Sequence, residues 1–351
     1  MAAASTPMDV TERIANQNRR VHVNIGAVCN NNCIFCMEED RDGRYVENSA
    51  VTPEVVMKIL DQNRGSEEIC YTSGEPTTNP NLPNYVKWAR ERGFRQISTM
   101  TNGRMLSQPQ YALSLITAGM NRFYVSIHGH TQKLHEGLTR TPGSFAQTVR
   151  GLDVITAMKK RFRLDLHTST VVTKRNLPLM PEIYAFLRAH GVDQVVFNVM
   201  QVNGRADTYF EQIYPRYSEV AATFKRFVEG AEETARGVPV MAFLVDIPLC
   251  TTVGIPDFNR GYVEQHTHYK TLAEAEHLMG EGVIIPVNRL MAGDTGQAFV
   301  EMSRADLDEA KRQFRAECDR CQYRGSCEGV WGNYLSRNGW EEFVPVERSA
   351  E

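Results

Sequence analysis

From residue 21 to about residue 235, short apolar runs alternate with amphipathic stretches. That alternation restricts the fold more than any other feature of this 351-residue chain. The runs are Val21–Ile25, Glu67–Thr72, Gln96–Thr101, Arg122–His128, Arg163–Thr173 and Gln194–Met200. Between them lie Pro53–Gln62, Leu82–Glu91, Gln108–Ala118, Ser144–Met158 and Leu179–Ala189, with apolar residues at helical spacing. Gly93, Gly119 and Gly191 each follow a helical stretch, where a glycine ends a helix. Strands alternating with helices form βαβ units, hence a parallel sheet. Six such runs predict an α/β fold, a partial (β/α)6 TIM-like barrel whose functional side chains stand at the C-terminal ends of the strands. Residues 1–20 read as a tail that enters a helix near Asp9 to Asn18, residues 21–235 as the core domain, and residues 236–351 as a small cysteine-rich domain.

The composition removes several function classes. A formal net charge of −3 offers no general attraction to nucleic acid or to an anionic membrane. No apolar run reaches the roughly 18 residues of a membrane span, and the first 20 residues carry no apolar signal core. The expectation is a cytoplasmic protein with neither nucleic acid nor membrane as a partner. In that compartment the eight cysteines are not expected to form a disulfide framework. Six of them fall in two tight groups, as metal ligands do.

The first group, Cys29-Asn-Asn-Asn-Cys33-Ile-Phe-Cys36, directly follows the first predicted strand. Iron–sulfur clusters are usually held by four thiolates, and this motif supplies three, which leaves one iron open. The C-x3-C-x2-C spacing, with Phe35 before the last cysteine, resembles the radical S-adenosylmethionine (SAM) superfamily. The later segments Ser73-Gly74-Glu75-Pro76, Thr101-Asn102-Gly103 and Ser126-Ile-His128 resemble the same family, as does Arg140-Thr-Pro-Gly143-Ser144-Phe145.

This resemblance implies a [4Fe–4S] cluster on Cys29, Cys33 and Cys36, with SAM at the open iron. It implies SAM contacts from Phe35, Gly74, Glu75, Ser126 and Arg140. A guanidinium suits the SAM carboxylate because the pair is bidentate and charge-assisted. His128 is a second candidate for the polar position after the fourth strand, whereas His130 and His135 read as loop histidines. Cys70, inside an apolar run, reads as an inert buried thiol.

The second group is Cys318-Asp-Arg-Cys321-Gln-Tyr-Arg-Gly-Ser-Cys327, and Cys250 lies far upstream. Four thiolates are the number one closed site takes, and zinc or an iron–sulfur cluster would each be served. The spacing, with the following Gly329-Val-Trp-Gly-Asn-Tyr334, resembles the auxiliary-cluster module called SPASM, or its shorter twitch form. A full module continues with a further cysteine where this chain has Trp331, so the resemblance implies one auxiliary [4Fe–4S] cluster at most.

Family membership implies reductive cleavage of SAM to a 5′-deoxyadenosyl radical, which abstracts hydrogen from the substrate, and an external one-electron donor of flavodoxin or ferredoxin type. About 20 residues precede the first strand, which points to a small natural-product-type substrate rather than a peptide held by a fused recognition domain. A maturase acting on a ribosomal peptide is the next reading, and a non-catalytic iron–sulfur electron carrier is the reading from another class.

Overall fold

The computed structural model describes residues 20–38, 40–64, 66, 68–235, 240–255, 283–285, 300–302, 312–324, 327 and 329–347. The helix expected near Asp9 to Asn18 lies outside them.

The core is a seven-stranded, all-parallel sheet in strictly sequential order. Its strands are β1 (Arg20–Asn24), β2 (Glu68–Thr72), β3 (Gln96–Thr101), β4 (Arg122–Ser126), β5 (Asp165–Val172), β6 (Gln194–Val199) and β7 (Ala242–Val245). Sequential parallel order is what repeated right-handed βαβ crossovers produce. Since β1 and β7 are the ends of the order, the sheet is an open barrel.

The six expected strands are all present, and β7 adds a seventh. It pairs with β6 through Val195↔Ala242 to Asn198↔Val245, so the parallel sheet continues past the expected domain boundary at residue 236. A four-residue apolar run carries too little periodicity to be told from a loop segment.

The helices between strands are α1 (Arg41–Ser49), α2 (Pro53–Gln62), α3 (Leu82–Glu91), α4 (Pro109–Ala118), α5 (Gln132–Thr139), α6 (Ser144–Met158) and α7 (Met180–Ala189). Proline stands in the first turn of α2, α3, α4 and α7, where its missing N–H costs nothing and its fixed φ suits the helix. Gly93, Gly119 and Gly191 end their helices at positive φ, as their spacing predicts. Two short helices, α8 (Arg205–Thr208) and α9 (Phe210–Ile213), lead into the long α10 (Tyr217–Ala235). None of the helices is long and apolar enough to cross a membrane among the described residues.

Strand alternation divides the sheet into two unlike faces. One face, including Val23, Ile69, Tyr71, Phe123, Leu166 and Phe197, is fully buried under the helices. The Tyr71 hydroxyl donates to the Tyr85 carbonyl of α3 (2.7 Å), and Phe197 meets Phe224 of α10 edge to face. On the other face, Asn24, Thr72, Met100, Ser126, Ser169 and Asn198 are all only half-buried near the C-terminal ends of their strands. These neutral side chains line the open mouth of the barrel.

The N-terminal end of that inner face is closed by charge. Arg122 pairs with Glu68 (3.3 Å) and Asp165 (2.9 Å), and the Ser98 hydroxyl donates to Glu68.

The C-terminal region packs on the end of the barrel beside β7. An antiparallel pair, β10 (Arg312–Gln313) and β11 (Val330–Trp331), precedes helix α11 (Gly332–Asn338); the short β8 (Val283–Ile285) and β9 (Val300–Met302) pair separately. An aromatic cluster joins α11 to the core: Tyr334 meets Tyr217 (4.6 Å), Tyr214 (5.4 Å) and Phe210 (6.0 Å). Each such pair adds about 0.5–1.5 kcal/mol beyond its buried area.

A second tie is ionic. Asp246, just after β7, receives the Arg312 guanidinium at 2.8 Å, and both side chains are nearly buried. The same guanidinium lies over the Trp331 ring at 4.4 Å. Asp246 has a φ of +59°, unusual for a residue other than glycine. Replacing Asp246 by Ala removes the carboxylate from a nearly buried ion pair and should lower stability by about 3–5 kcal/mol in urea unfolding followed by circular dichroism. Asp246→Asn should cost less, because Asn tolerates the left-handed backbone and keeps a hydrogen-bond acceptor.

Candidate functional site

The loop that follows β1 carries Cys29, Cys33 and Cys36 to the C-terminal mouth of the barrel. The three thiols are electrostatic neighbours. Burial raises all three, and for Cys33 the other two thiolates raise it further. Apart from the turn in which Cys36 N–H donates to Cys33 O (3.3 Å), the loop is held in place from outside.

Asn32 N–H donates to Thr139 O (3.0 Å) and Ile34 N–H to Leu138 O (2.9 Å), which fastens the loop to the end of α5. Guanidinium groups then arrive from three other places. Arg104, after β3, donates to Asn30 O and Asn31 Oδ1. Arg41 of α1 donates to Asn31 O (3.1 Å) and Asn32 Oδ1 (2.8 Å). Arg205, after β6, donates to Asn32 Oδ1 (2.7 Å) and Cys33 O (2.9 Å).

Beside this loop lies the turn after β2, and the two backbones are in direct contact. A Cβ at Gly26 would stand 1.9 Å from Ser73 O, and one at Gly74 would stand 2.1 Å from Gly26 O. Only glycine fits at either position, and Gly74 also has a φ of +49°. Glu75 N–H donates to Val28 O (2.9 Å), which joins the two turns. Glu38, two residues past Cys36, accepts from Gly74 N–H (2.8 Å) and Ser73 Oγ (2.9 Å). Asn48 of α1 bridges Gly26 O and Ser73 Oγ, and buried Arg44 donates to Ala27 O and Glu38 O.

The residues expected to contact SAM occupy distinct places. Phe35 is buried, edge to face with His128 at 4.7 Å. Gly74 uses its N–H on Glu38. The buried Glu75 carboxylate accepts from Thr77 N–H, Thr77 Oγ1, Thr101 Oγ1 and Asn102 N–H, so it ties the turn after β2 to the turn after β3. Burial raises its pKa against those four donors. Ser126 stands half-buried at the end of β4, in register with Ser169 of β5. Arg140 is exposed, at a φ of +52°, with its guanidinium 6.0 Å from the centre of the Tyr209 ring.

His128 and His135 are both interior, which departs from the loop reading given to His135. Their rings stack 5.8 Å apart, and His128 N–H donates to His135 Nδ1 (3.2 Å). Val171 N–H donates to His128 Nδ1 (3.2 Å). Burial holds both pKa values down, with that of His135 lowered to about 4.

At the other end of the chain the four remaining clustered thiols come together. Cys250, in the turn after β7, is pushed up to about 12 by burial first and then by Cys327, Cys321 and Cys318. Gly329 N–H donates to Cys327 Sγ and Val346 N–H to Cys321 Sγ, each at 3.4 Å. Backbone donors to sulfur of this kind stabilise thiolate ligands. Cys70 is buried in β2, and all eight cysteines are free of disulfides.

Each of the two groups offers only soft thiol donors, as iron–sulfur and zinc sites do. No three of His, Cys, Asp and Glu lie close enough to hold a single metal ion among the described residues. Around the first group, no carboxylate pairs with Arg41, Arg104 or Arg205 among the described residues. The loop presents three thiols with Arg44 and Arg205 as cationic neighbours and Glu38 and Glu75 as anionic ones, a soft donor set that suits a thiolate-bound cluster.

Residues 23–168 match the family model described as the radical SAM superfamily. The AdoMet-dependent heme synthase of Methanosarcina barkeri is 26% identical over 196 residues, covering 55% of this chain and 54% of that protein. The GTP 3′,8-cyclase of Marinobacter nauticus is 30% identical over 188 residues, covering 52% and 54%. The chain thus matches about half the length of these curated relatives. SuiB of Streptococcus suis, bound to its precursor peptide SuiA, superposes with a TM-score of 0.62 at 14% identity, over 96% of this chain and 78% of that one. At that identity the likeness is one of fold.

The buried histidine pair generates a pH prediction. With its native pKa near 4 against an ordinary 6.5, His135 binds fewer protons folded than unfolded between those values. Its contribution is therefore complete above pH 6.5 and is lost as pH falls toward 4, a change on the order of 3 kcal/mol. Urea unfolding across that range should show stability falling with pH, and His135→Phe should flatten the slope.

Proposed function

We propose, from the premise that residues 23–168 belong to the radical SAM superfamily, that this chain is an enzyme that binds a [4Fe–4S] cluster on Cys29, Cys33 and Cys36 and SAM beside it. The observation that carries this reading is the convergence of those three thiols, on a loop held by the guanidinium groups of Arg41, Arg104 and Arg205, at the mouth of an open parallel barrel. When bound, the cluster and SAM supply a 5′-deoxyadenosyl radical able to abstract hydrogen from an unactivated carbon.

The protein's own share is position and enclosure. The contact of Gly26 with Gly74 holds the two site loops together. Glu75 fixes the turns after β2 and β3 relative to one another through its four donors. Ser126, Ser169 and Asn198 offer neutral hydrogen-bonding groups on the inner face. Phe35, packed on His128, makes part of the wall apolar and limits water.

We assign Phe35, Gly74, Glu75, Ser126 and Arg140 to the SAM side of the site, with Gly74 and Glu75 shaping the loop through the bonds described above. The four thiols of Cys250, Cys318, Cys321 and Cys327 form a second site, for one auxiliary [4Fe–4S] cluster of the SPASM or twitch kind. We take residues 236–351 to be its domain, apart from the β7 strand that completes the core sheet.

The substrate in this reading is a small molecule of natural-product type, and the cluster is reduced by an external flavodoxin- or ferredoxin-type donor in the cytoplasm. The neutral inner face supports an uncharged reacting portion. A second reading, modification of a peptide, is favoured by the fold likeness to peptide-bound SuiB over nearly the whole chain.

Anaerobic reconstitution followed by dithionite and SAM should yield 5′-deoxyadenosine, detected by liquid chromatography. Its absence from protein with a full iron load would overturn the enzyme reading. The Cys29→Ala, Cys33→Ala, Cys36→Ala variant should form none. Iron analysis should give about eight atoms per chain for two four-iron clusters, falling to about four when Cys318 and Cys321 are replaced by Ala.

A further inference from the structure

Of the three cations around the first cysteine loop, Arg205 reaches it from farthest along the chain and in the most ways. It comes from the segment after β6 and meets a loop that follows β1, at the two ends of the open sheet's first six strands. Its guanidinium donates to Asn32 Oδ1 (2.7 Å) and Cys33 O (2.9 Å). Its own backbone N–H donates to Cys36 O (3.0 Å). A single residue thus holds the peptide groups of the second and third cysteines and the side chain between the first and second.

Gly204, at a φ of +55°, lets the chain turn so that both donors of Arg205 face the loop. None of its acceptors is charged, and no carboxylate pairs with the guanidinium among the described residues. A guanidinium left with neutral acceptors keeps its full charge beside the thiols. Such a charge favours whichever state of an adjacent group is more negative.

We propose that Arg205 is a positioning residue for the three-cysteine loop, fixing Cys33 and Cys36 relative to each other and, by its uncompensated charge, easing reduction of the cluster they hold. This rests on the reading of Cys29, Cys33 and Cys36 as cluster ligands given above. Arg205 does not touch the reacting atoms in this assignment; it acts through the loop.

The test uses the full-length reconstituted protein and its Arg205→Gln and Arg205→Lys variants. Two quantities are measured: iron release to a ferrous chelator, and the midpoint potential of the SAM-responsive cluster followed by electron paramagnetic resonance. Arg205→Gln removes the charge and both guanidinium hydrogen bonds, to Asn32 Oδ1 and Cys33 O, so it should release iron at least about tenfold faster, as expected for losing charge-assisted hydrogen bonds, and its potential should move to more negative values. Arg205→Lys keeps the charge on a shorter, flexible stem that does not hold a donor where Nη1 reaches both Asn32 Oδ1 and Cys33 O, so it should release iron faster while holding a potential close to that of the parent.

Far-UV circular dichroism of each variant confirms the fold. If Arg205→Gln loses its fold, the Lys variant still tests the positioning role, and Arg205→Met, which keeps the apolar stem without the charge, tests the potential in its place. Unchanged iron release in both variants would overturn the positioning role, and an unchanged potential in Arg205→Gln would overturn the charge role. The underlying reading fails by a different result: iron loading at the parent level when Cys29, Cys33 and Cys36 are all replaced by Ala.

Discussion

The Asn30-Asn31-Asn32 run between Cys29 and Cys33 owes its shape to donors that belong to other elements. Arg41, Arg104 and Arg205 bind its carbonyl and amide oxygens, and Thr139 O accepts from its last N–H. This segment forms neither a helix nor a ladder, so its peptide groups need partners elsewhere. Asparagine is suited to the spacer because each side chain adds an acceptor, and Arg41 and Arg205 share the Oδ1 of Asn32. Cations bound to neutral oxygens bring stiffness and positive potential together. A carboxylate in place of any of these amides would supply equal stiffness and cancel the charge.

The two faces of the sheet extend that division of labour. The buried face is apolar and supplies the burial that folds the barrel. The inner face is largely polar apart from a small apolar cluster of Val196, Phe243 and Val245, and its polarity changes in kind along the strands. At the N-terminal end Arg122 pairs with both Glu68 and Asp165 and closes the barrel. Toward the mouth the side chains are hydroxyls, amides and a thioether, neutral groups that can be left half-exposed without a partner at small cost. The Arg122 network thus stands at the opposite end from the thiols, whose own charged neighbours are Arg44, Arg205, Glu38 and Glu75.

Much of this was legible in the sequence. Strand positions, most helices and the glycine stops follow from periodicity, because each buries an apolar face. Helix α1 was missed for the complementary reason: it buries Arg44 and Asn48 and leaves Tyr45 and Val46 exposed, so it has no apolar stripe to read. The β7 strand was missed because four residues are too few. At the site, the cysteine motif was legible because its three thiols lie close together in sequence on one loop. Glu38, Asn48, Arg104 and Arg205 carry no local pattern, since each contacts backbone atoms or amides far away in sequence. The one available signal was the triple asparagine itself, a run of acceptors awaiting donors. The packing of Gly26 against Gly74 was equally invisible, because it depends on two turns meeting.

The C-terminal region bears on the first cysteine loop through the same segment that carries Arg205. Asn333 of α11 donates to Val202 O (2.9 Å), and Arg337 of α11 pairs with Asp207 (2.8 Å), on either side of Arg205. Arg337 also lies over the Phe210 ring at 4.7 Å, and Tyr334 packs on the same aromatic cluster. Helix α11 in turn follows directly on β11, whose partner β10 is tied to Asp246 beside the Cys250 turn. The two thiol groups are therefore joined by continuous packing and hydrogen bonds. Such a connection establishes shared rigidity, and coupling between the sites would further require an element with two arrangements. None of the ties is of a kind that readily has two: aromatic interdigitation, a buried ion pair and backbone hydrogen bonds each favour one geometry. The mechanical consequence is that the segment holding Arg205 is braced from both sides. The loop around Cys33 gains its stiffness from the C-terminal region as much as from the barrel on which it sits.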